Sequence, residues 1–212
     1  MTTFQHLIIL VICAATARCA FAEGAAFGPT AHTNTSPNKL WEIRSKPNKE
    51  HEGNYNLILR DRRTGAERDI FSGDRWCEVL WSANDSQIAI TDWRGSDDSV
   101  ILLQTTAQKS PAKELPDNAA RAFLPKGELV GHCYWEALKW EADGRLRIRA
   151  FGHTDEKPLH QFVYEFIFDP AKNSAVLIKK ESGPRSRAEQ KIWANKEKAW
   201  KESPRRTSGL SQ

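Results

Sequence analysis

The stretch Val79–Asp92 (VLWSANDSQIAITD) decides the fold class of this chain. A short apolar run ends at Trp81, the polar residues Ser82–Ser86 follow, and a run of alternating character begins at Gln87. An apolar strand, a group of turn-forming residues and a second alternating strand are typical of an antiparallel β-hairpin. Related patterns recur on both sides of this hairpin.

Two kinds of turn repeat along the sequence. The hairpin is echoed at Leu138–Arg149, where Trp140 ends a run and Glu141–Gly144 forms the turn. The second kind, Asp61–Gly65, is echoed at Asp169–Asn173. Asp opens such a turn, and Gly or Asn closes it because both residues adopt a left-handed backbone conformation readily.

Short runs rich in β-branched and aromatic residues therefore group into three units of predicted strands. They are Leu40–Ile43, Tyr55–Arg60 and Glu67–Phe71; Cys77–Trp81, Gln87–Trp93 and Ser99–Gln104; and Ala137–Trp140, Arg145–Ala150, Gln161–Phe168 and Ala175–Ile178. The first unit lacks a first strand. The pattern predicts an all-β domain over residues 39–180, made of mostly antiparallel meanders that are blade-like or form a sandwich or curled sheet, followed by a C-terminal α-helix.

Val79–Asp92 resembles the repeat of the WD40-like, TolB-type β-propellers, in which a Trp-Ser-Pro-Asp-Gly turn precedes Ile-Ala-Phe. Here Ala83 replaces the proline and Ser86 the glycine, and the echo at Leu138–Arg149 keeps the Asp-Gly pair but not the serine. The resemblance implies four-stranded blades. Propellers usually close with four to eight blades, so two or three units predict either an oligomer or, as we prefer, a smaller single-chain object that contains blade-like meanders.

Residues 1–22 have the layout of a secretory signal peptide. A short polar start precedes the apolar run Leu7–Ala17, and a small-x-small pattern ends at Ala22. The run is shorter than the roughly 20 residues that span a bilayer as a helix, so we expect no transmembrane segment. We expect cleavage before Glu23 and a secreted or periplasmic protein. Residues 23–38 are small, polar and broken by proline, which predicts a flexible lead-in.

Cleavage at this position would leave Cys77 and Cys133 as the remaining cysteines. In an oxidising compartment one such pair predicts a disulfide, with unpaired buried thiols as the alternative. Neither cysteine has another cysteine two to four residues away, so we expect no metal site.

The formal net charge of +4 belongs to residues 181–212, which carry eight basic and four acidic side chains. A nucleic-acid-binding domain would be expected to carry a basic face in its body. The charge distribution therefore argues against nucleic acid as a partner.

Residues 181–203 predict a basic helix, and residues 204–212 a disordered tail. The capping box Ser186–Glu189 marks the start of the helix. Trp193 and Trp200 lie seven residues apart and share one face. That face either pins the helix to the domain or contacts an anionic surface, such as lipid headgroups or cell-wall polymer.

Candidate binding residues lie near predicted strand ends: Trp93, Arg94, Asp97, Asp98, His132 and Trp135. Exposed tryptophan stacks on sugars or on peptide side chains, although packing under loops is the alternative for each one. The acidic loop after Asp92 does not match the spacing of a calcium-binding loop. The sequence has no Gly-x-Ser-x-Gly elbow, His-Glu-x-x-His motif or phosphate-binding glycine loop, so it predicts no catalytic residue and no cofactor.

These observations predict an exported binding or interaction protein for a protein or carbohydrate ligand, rather than an enzyme. One alternative is a small secreted hydrolase of cell-wall or carbohydrate substrates. That hypothesis requires His132, His153 and either Asp92 or Asp97 to converge in one pocket. The other alternative is an adaptor that docks on anionic surfaces through its basic C-terminal helix.

Overall fold

The computed structural model describes residues 24–95, 98–106, 113–115, 122, 131–154, 160–183, 191–192, 194–195 and 198. Over these residues the chain is nearly all β, as predicted. The strands are β1 (Ala25–Phe27), β2 (Thr33–Thr35), β3 (Trp41–Pro47), β4 (Tyr55–Asp61), β5 (Glu67–Gly73), β6 (Cys77–Trp81), β7 (Gln87–Asp92), β8 (Ser99–Gln104), β9 (Lys113–Leu115), β10 (Gly131–Trp140), β11 (Leu146–Thr154), β12 (Gln161–Asp169) and β13 (Ser174–Gly183).

The strands form three antiparallel sheets. The first sheet has the order β2-β3-β4-β5, the central sheet β1-β6-β7-β8-β9, and the third sheet β10-β11-β12-β13. Apart from β1, which pairs with β6, each strand lies beside its neighbour in sequence. This order confirms the prediction of antiparallel meanders and matches the three predicted units.

The sheets stack face to face, with the central sheet in the middle. One apolar cluster contains Leu57 and Leu59 of the first sheet together with Val79 and Ile90 of the central sheet. A second cluster joins the central sheet to the third, and Trp135 is among its residues. The central strands are buried on both faces, which explains why β7 and β8 read as nearly continuous apolar runs.

The predicted flexible lead-in contributes two strands instead. In β1, Ala25 pairs with Val79, and the Phe27 side chain is buried in the cluster between the first and central sheets. In β2, Asn34 pairs with Ile43 and supplies the first strand that the first unit was expected to lack. The prediction for this segment was wrong because partners distant in sequence stabilise both strands.

The Asp-initiated turns have the predicted chemistry. The carboxylate of Asp61 accepts a hydrogen bond from the backbone N–H of Arg63 at 2.8 Å, and Gly65 closes the turn at φ 75°. In the echo, Asp169 accepts a hydrogen bond from the turn backbone at 3.0 Å, and Asn173 closes it at φ 51°. Both predicted left-handed positions are confirmed.

The two turns that follow Trp81 and Trp140 resemble each other as predicted, but the left-handed position of the first turn needs a correction. Gly144 has φ 82°, and the left-handed residue of the first turn is Asp85 at φ 60°. The resemblance assigned the glycine position to Ser86, one residue too late. The two tryptophans preceding these turns bond to the neighbouring sheet: Trp81 Nε1 donates to Asn34 Oδ1 at 2.6 Å, and Trp140 Nε1 to the Leu80 carbonyl at 3.2 Å.

The structure does not show the predicted disulfide: in the described part of the chain, Cys77 and Cys133 are not bonded to each other. Cys77 belongs to the cluster between the first and central sheets, whereas Cys133 packs against the cluster between the central and third sheets. The central sheet therefore separates the two sulfur atoms. The interpretation as an exported protein then depends on residues 1–22 alone, which lie outside the described residues.

The C-terminal helix remains a prediction, since most of residues 181–203 lie outside the described part. Its expected start is too early, because β13 continues to Gly183. Trp193, Trp200 and the predicted tail at 204–212 are not among the described residues. Within the described ranges, no helical segment has the length and apolar character needed to cross a membrane.

Candidate functional site

The outer face of the third sheet, opposite the core that it shares with the central sheet, carries the candidate site. Residues paired across antiparallel strands point to the same face, and successive residues alternate between faces. Trp135 and Tyr164 point into the core. The intervening positions Tyr134, Phe151 and Val163 pack in a separate cluster on the outer face.

A row of alternating charge crosses this outer face. Glu136 pairs in register with Arg149, Arg149 with Glu165, and Glu165 with Lys179. Arg149 Nε donates to Glu136 Oε2 at 3.0 Å, and the Glu165 carboxylate lies 3.8 Å from Arg147 Nη1. We call Glu136, Arg149, Glu165 and Lys179 the charge ladder. It results from charged residues at alternating positions of neighbouring strands.

The charge ladder lines a cleft with a volume of about 440 Å³. Trp76 and Trp93 border the cleft, and Lys191 and Asn195, from beyond β13, also contribute to its lining. Trp76 is stacked on Trp93 with ring centroids 5.2 Å apart. The cleft thus combines an aromatic border with a charged floor.

The charged floor is shielded from solvent. Side-chain exposure is 16% for Glu136, 21% for Arg149 and 16% for Glu165, while Lys179 at the edge strand is 42% exposed. A shielded charged group interacts more strongly with its surroundings than one in bulk water.

The middle of the outer face is an aromatic and apolar row. Tyr134, Phe151 and Val163 form it, and Trp93 and Ile192 complete the buried cluster. These contacts bring the border of the cleft together with β10 and β11. Packing in this cluster leaves Trp93 5% exposed.

The far end of the same face carries His132, His153 and Gln161, which pair in register across β10, β11 and β12. The rings of His132 and His153 have centroids 4.8 Å apart, and His132 also stacks on Tyr134. The predicted site residues Trp93 and His132 therefore both contact the outer face of the third sheet.

The other predicted loop residues lie at the end of β7. Arg94 is ion-paired with Asp92 and lies 3.4 Å from Glu114, while Asp98 accepts a hydrogen bond from the Gly95 N–H at 3.1 Å. These contacts organise the β7–β8 loop. Asp97 lies outside the described residues.

Trp135 has almost no exposed surface for a ligand. It is 2% exposed, belongs to the core between the central and third sheets, and stacks on Phe166 at 5.8 Å. Its neighbours Tyr134 and Glu136 point to the outer face instead. Trp135 therefore packs in the core instead of binding a ligand, because side chains alternate along β10 and that of Trp135 points inward.

The residues required by the hydrolase hypothesis come together only in part. His132 and His153 are neighbours, but Asp92 is paired with Cys77, whose side chain faces the first sheet. Burial raises the pKa of the Asp92 carboxyl, while its hydrogen bond with Arg94 acts in the opposite direction. The central sheet separates this carboxyl from the two imidazoles.

The sequence analysis did not predict the charge ladder. A signal was present, since Arg147 and Arg149 alternate with apolar residues in β11, and Glu136 and Glu165 occupy similar positions in β10 and β12. Alternation alone predicts a solvated face. The shielding depends on Trp76 and on residues beyond β13, which only the tertiary structure brings there.

Comparison of the chain with protein-family models, with curated proteins and with solved structures found no match. In the part of the chain that the structure describes, no group of three or more His, Cys, Asp and Glu side chains is placed to hold a metal ion. Interpretation of the site therefore depends on its geometry and chemistry.

Proposed function

We propose that this chain is an exported binding protein whose ligand occupies the cleft above the charge ladder. The volume of about 440 Å³ lies within the range of about 300–1,000 Å³ common for small-molecule sites. The half-buried Trp76 of the border supplies apolar contact area, with the buried Trp93 stacked against it. The floor supplies hydrogen-bonding groups held in fixed positions by cross-strand pairing.

The observation that carries this proposal is the contrast between the outer faces of the first and third sheets. The first sheet has its own cross-strand ion network, in which Arg44, Arg60 and Glu67 are 38–41% exposed and Glu42 is 17% exposed. Glu67 also lines a recess of about 460 Å³ on that face. In the charge ladder both members of the Glu136–Arg149 pair are shielded, at 16% and 21% exposure, and Trp76 and Trp93 line the cleft beside them. Among the described residues, the recess of the first sheet has no aromatic side chain in its lining. A recess by itself therefore does not distinguish the two faces, but an aromatic side chain beside shielded charged groups is typical of ligand pockets.

The lining favours a neutral ligand rich in hydroxyl groups. It holds three carboxylates and three cationic groups: Glu78, Glu136, Glu165, Arg149, Lys179 and Lys191. Such a balanced set exerts little net attraction on a strongly charged ligand. Carbohydrate hydroxyls donate to carboxylates and accept from cations, and a sugar ring packs against an indole face. A carbohydrate ligand therefore fits this chemistry best.

A matched pair of substitutions tests the cleft. An array of neutral oligosaccharides, including β-1,4-linked N-acetylglucosamine oligomers, identifies a ligand, and titration calorimetry measures its affinity. Arg149→Gln should weaken binding more than about tenfold, because removing a shielded charged hydrogen-bond donor costs about 1.5–3 kcal/mol. Arg60→Gln changes the equivalent network of the first sheet and should leave the affinity within about twofold.

Equal effects of the two substitutions would contradict placement of the ligand in the cleft, and an array without any bound oligosaccharide would refute the carbohydrate class. Export has its own measurement. The intact mass of the protein recovered from the cell envelope or medium should correspond to a chain that begins at Glu23. A mass that includes residues 1–22 would contradict export by a cleaved signal peptide.

A further inference from the structure

The end of the outer face opposite the charge ladder carries a row of three potential metal-ligating side chains. His132 and His153 are directly paired on β10 and β11, and Gln161 is paired with His153 on β12. Imidazole nitrogens and amide oxygens both bind transition-metal ions. The row is separated from the charge ladder by the apolar row of Tyr134 and Phe151, so it is independent of the proposed ligand cleft.

The spacing of the two imidazole rings fits binding of one ion. A metal–nitrogen bond of about 2.1 Å puts the centroid of an imidazole about 3.2 Å from the metal. Two imidazoles at a coordination angle of about 90–110° then have centroids about 4.5–5.2 Å apart. The rings of His132 and His153 have centroids 4.8 Å apart and are tilted by 52°.

Two atoms of the row provide independent support. His132 Nδ1 and Gln161 Oε1 are buried, and neither has a hydrogen-bond partner among the described residues. Buried polar atoms in folded proteins are normally satisfied by protein groups, water or an ion. An unprotonated imidazole nitrogen and an amide oxygen both offer lone pairs, and these two atoms lie on either side of His153 in the row.

The backbone holds the two histidines close together. Gly152 precedes His153, and a Cβ atom added to this glycine would lie 1.8 Å from the His132 carbonyl oxygen. Only glycine permits such a close approach of β11 to β10. The histidine pair is therefore mounted on two rigid neighbouring strands and requires no rearrangement of a loop.

We propose that His132, His153 and Gln161 form a binding site for one divalent first-row transition-metal ion, with water completing the coordination. A site of two imidazoles and one amide oxygen should bind Cu²⁺ most tightly and Ni²⁺ and Zn²⁺ more weakly, following the general order of affinities for nitrogen and oxygen ligands. Two histidines are too few for a closed structural zinc site, so water or a small ligand would complete the coordination.

Titration calorimetry of the untagged, metal-free chain with copper, nickel and zinc chloride tests the proposal. We expect one Cu²⁺ ion per chain, with nickel and zinc weaker. His132→Ala and His153→Ala should each lower the Cu²⁺ affinity more than about tenfold, and Gln161→Leu by a smaller factor. His51→Ala is the matched control, because His51 is an exposed histidine outside the row, and it should leave the affinity unchanged.

Electron paramagnetic resonance of the Cu²⁺ complex provides a readout that a purely structural role would not affect. The spectrum should show coupling to two imidazole nitrogens in the original chain and to one in either histidine variant. Circular dichroism identifies a variant that fails to fold, and Gln161→Leu, which retains both imidazoles, then serves as the second variant. Absence of Cu²⁺ binding, or affinity unchanged in both His132→Ala and His153→Ala, would overturn the proposal.

Discussion

The carboxylate of Asp85 connects two sheets, and its replacement by glycine separates the local role of this residue from its tertiary role. Asp85 occupies the left-handed position of the turn between β6 and β7, where glycine stands in the echoed turn. Its side chain accepts hydrogen bonds from Ser36 Oγ at 2.6 Å and from the Asn38 N–H at 3.1 Å, both in the turn between β2 and β3. Asp85 is 1% exposed and Ser36 2%.

The expected magnitude follows from these contacts. Glycine at a left-handed position removes about 1 kcal/mol of backbone strain, and its greater freedom in the unfolded chain costs up to about 1 kcal/mol, so the two backbone effects nearly cancel. Loss of two hydrogen bonds to a carboxylate, at about 1.5 kcal/mol each, remains. Asp85→Gly should therefore lower the free energy of unfolding by about 3 kcal/mol.

Urea denaturation followed by tryptophan fluorescence measures this difference as a shift of the transition midpoint at constant slope. Asp85→Asn, which retains an oxygen acceptor and a residue tolerant of the left-handed conformation, should lose less stability than Asp85→Gly. Gly144→Asp in the echoed turn is the reciprocal control. If Asp85→Gly were within about 0.5 kcal/mol of the original chain, local turn chemistry alone would explain Asp85, and the inferred connection between the sheets would be refuted.

Two further predictions concern strand packing. Burial raises the pKa of the Cys77 thiol from 9.0 to about 12, so above pH 9 the unfolded chain loses this proton before the folded chain does. The free energy of unfolding should therefore fall by about 2 kcal/mol at pH 10.5 through this group. Urea titrations should show that Cys77→Ala removes this part of the pH dependence. Gly152→Ala should lower the free energy of unfolding by about 2 kcal/mol or more, because the added Cβ would lie 1.8 Å from the His132 carbonyl oxygen. Gly28→Ala is the control: a Cβ added at Gly28 has no neighbouring atom within 4 Å, so the same assay should show almost no change in stability.

Local chemistry explains why the turns were predictable. In the Asp61 and Asp169 turns, the carboxylate and the left-handed closing residue lie within five positions of each other, so all the determinants are present in a short stretch. The same holds for the strands between the turns, since alternation in β4 follows directly from its inward-facing residues Tyr55, Leu57 and Leu59.

Long-range pairing explains where prediction failed. The strands β1 and β2 are three residues each, and their sequences, AAF and TNT, have no strand pattern of their own. They exist because β6 and β3 provide their hydrogen-bonding partners. The separation of Cys77 from Cys133 has the same origin, because the face to which each cysteine points depends on how the sheets stack.

The candidate site contains some features that the sequence predicted and others that depend on long-range pairing. The sequence placed His132 and Trp93 among the residues of interest, but it could not show that Trp93 packs under Trp76 or that Trp135 points into the core. It also contained the alternating charges of Glu136 and Arg149 without indicating that they lie in a cleft. Register between strands and the position of residues beyond β13 supply this information.

By itself, the sequence determined that the chain folds into antiparallel meanders, where their turns fall and that Gly65 and Asn173 close the two aspartate-initiated turns in the left-handed conformation. These properties depend on interactions between residues close in the chain. Only the tertiary structure decided that three sheets stack with the central one buried on both faces, that the thiols lie apart, and that the Glu136–Arg149 pair lies in a cleft bordered by tryptophan. Those properties depend on contacts between strands far apart in sequence, whose energies no short stretch contains.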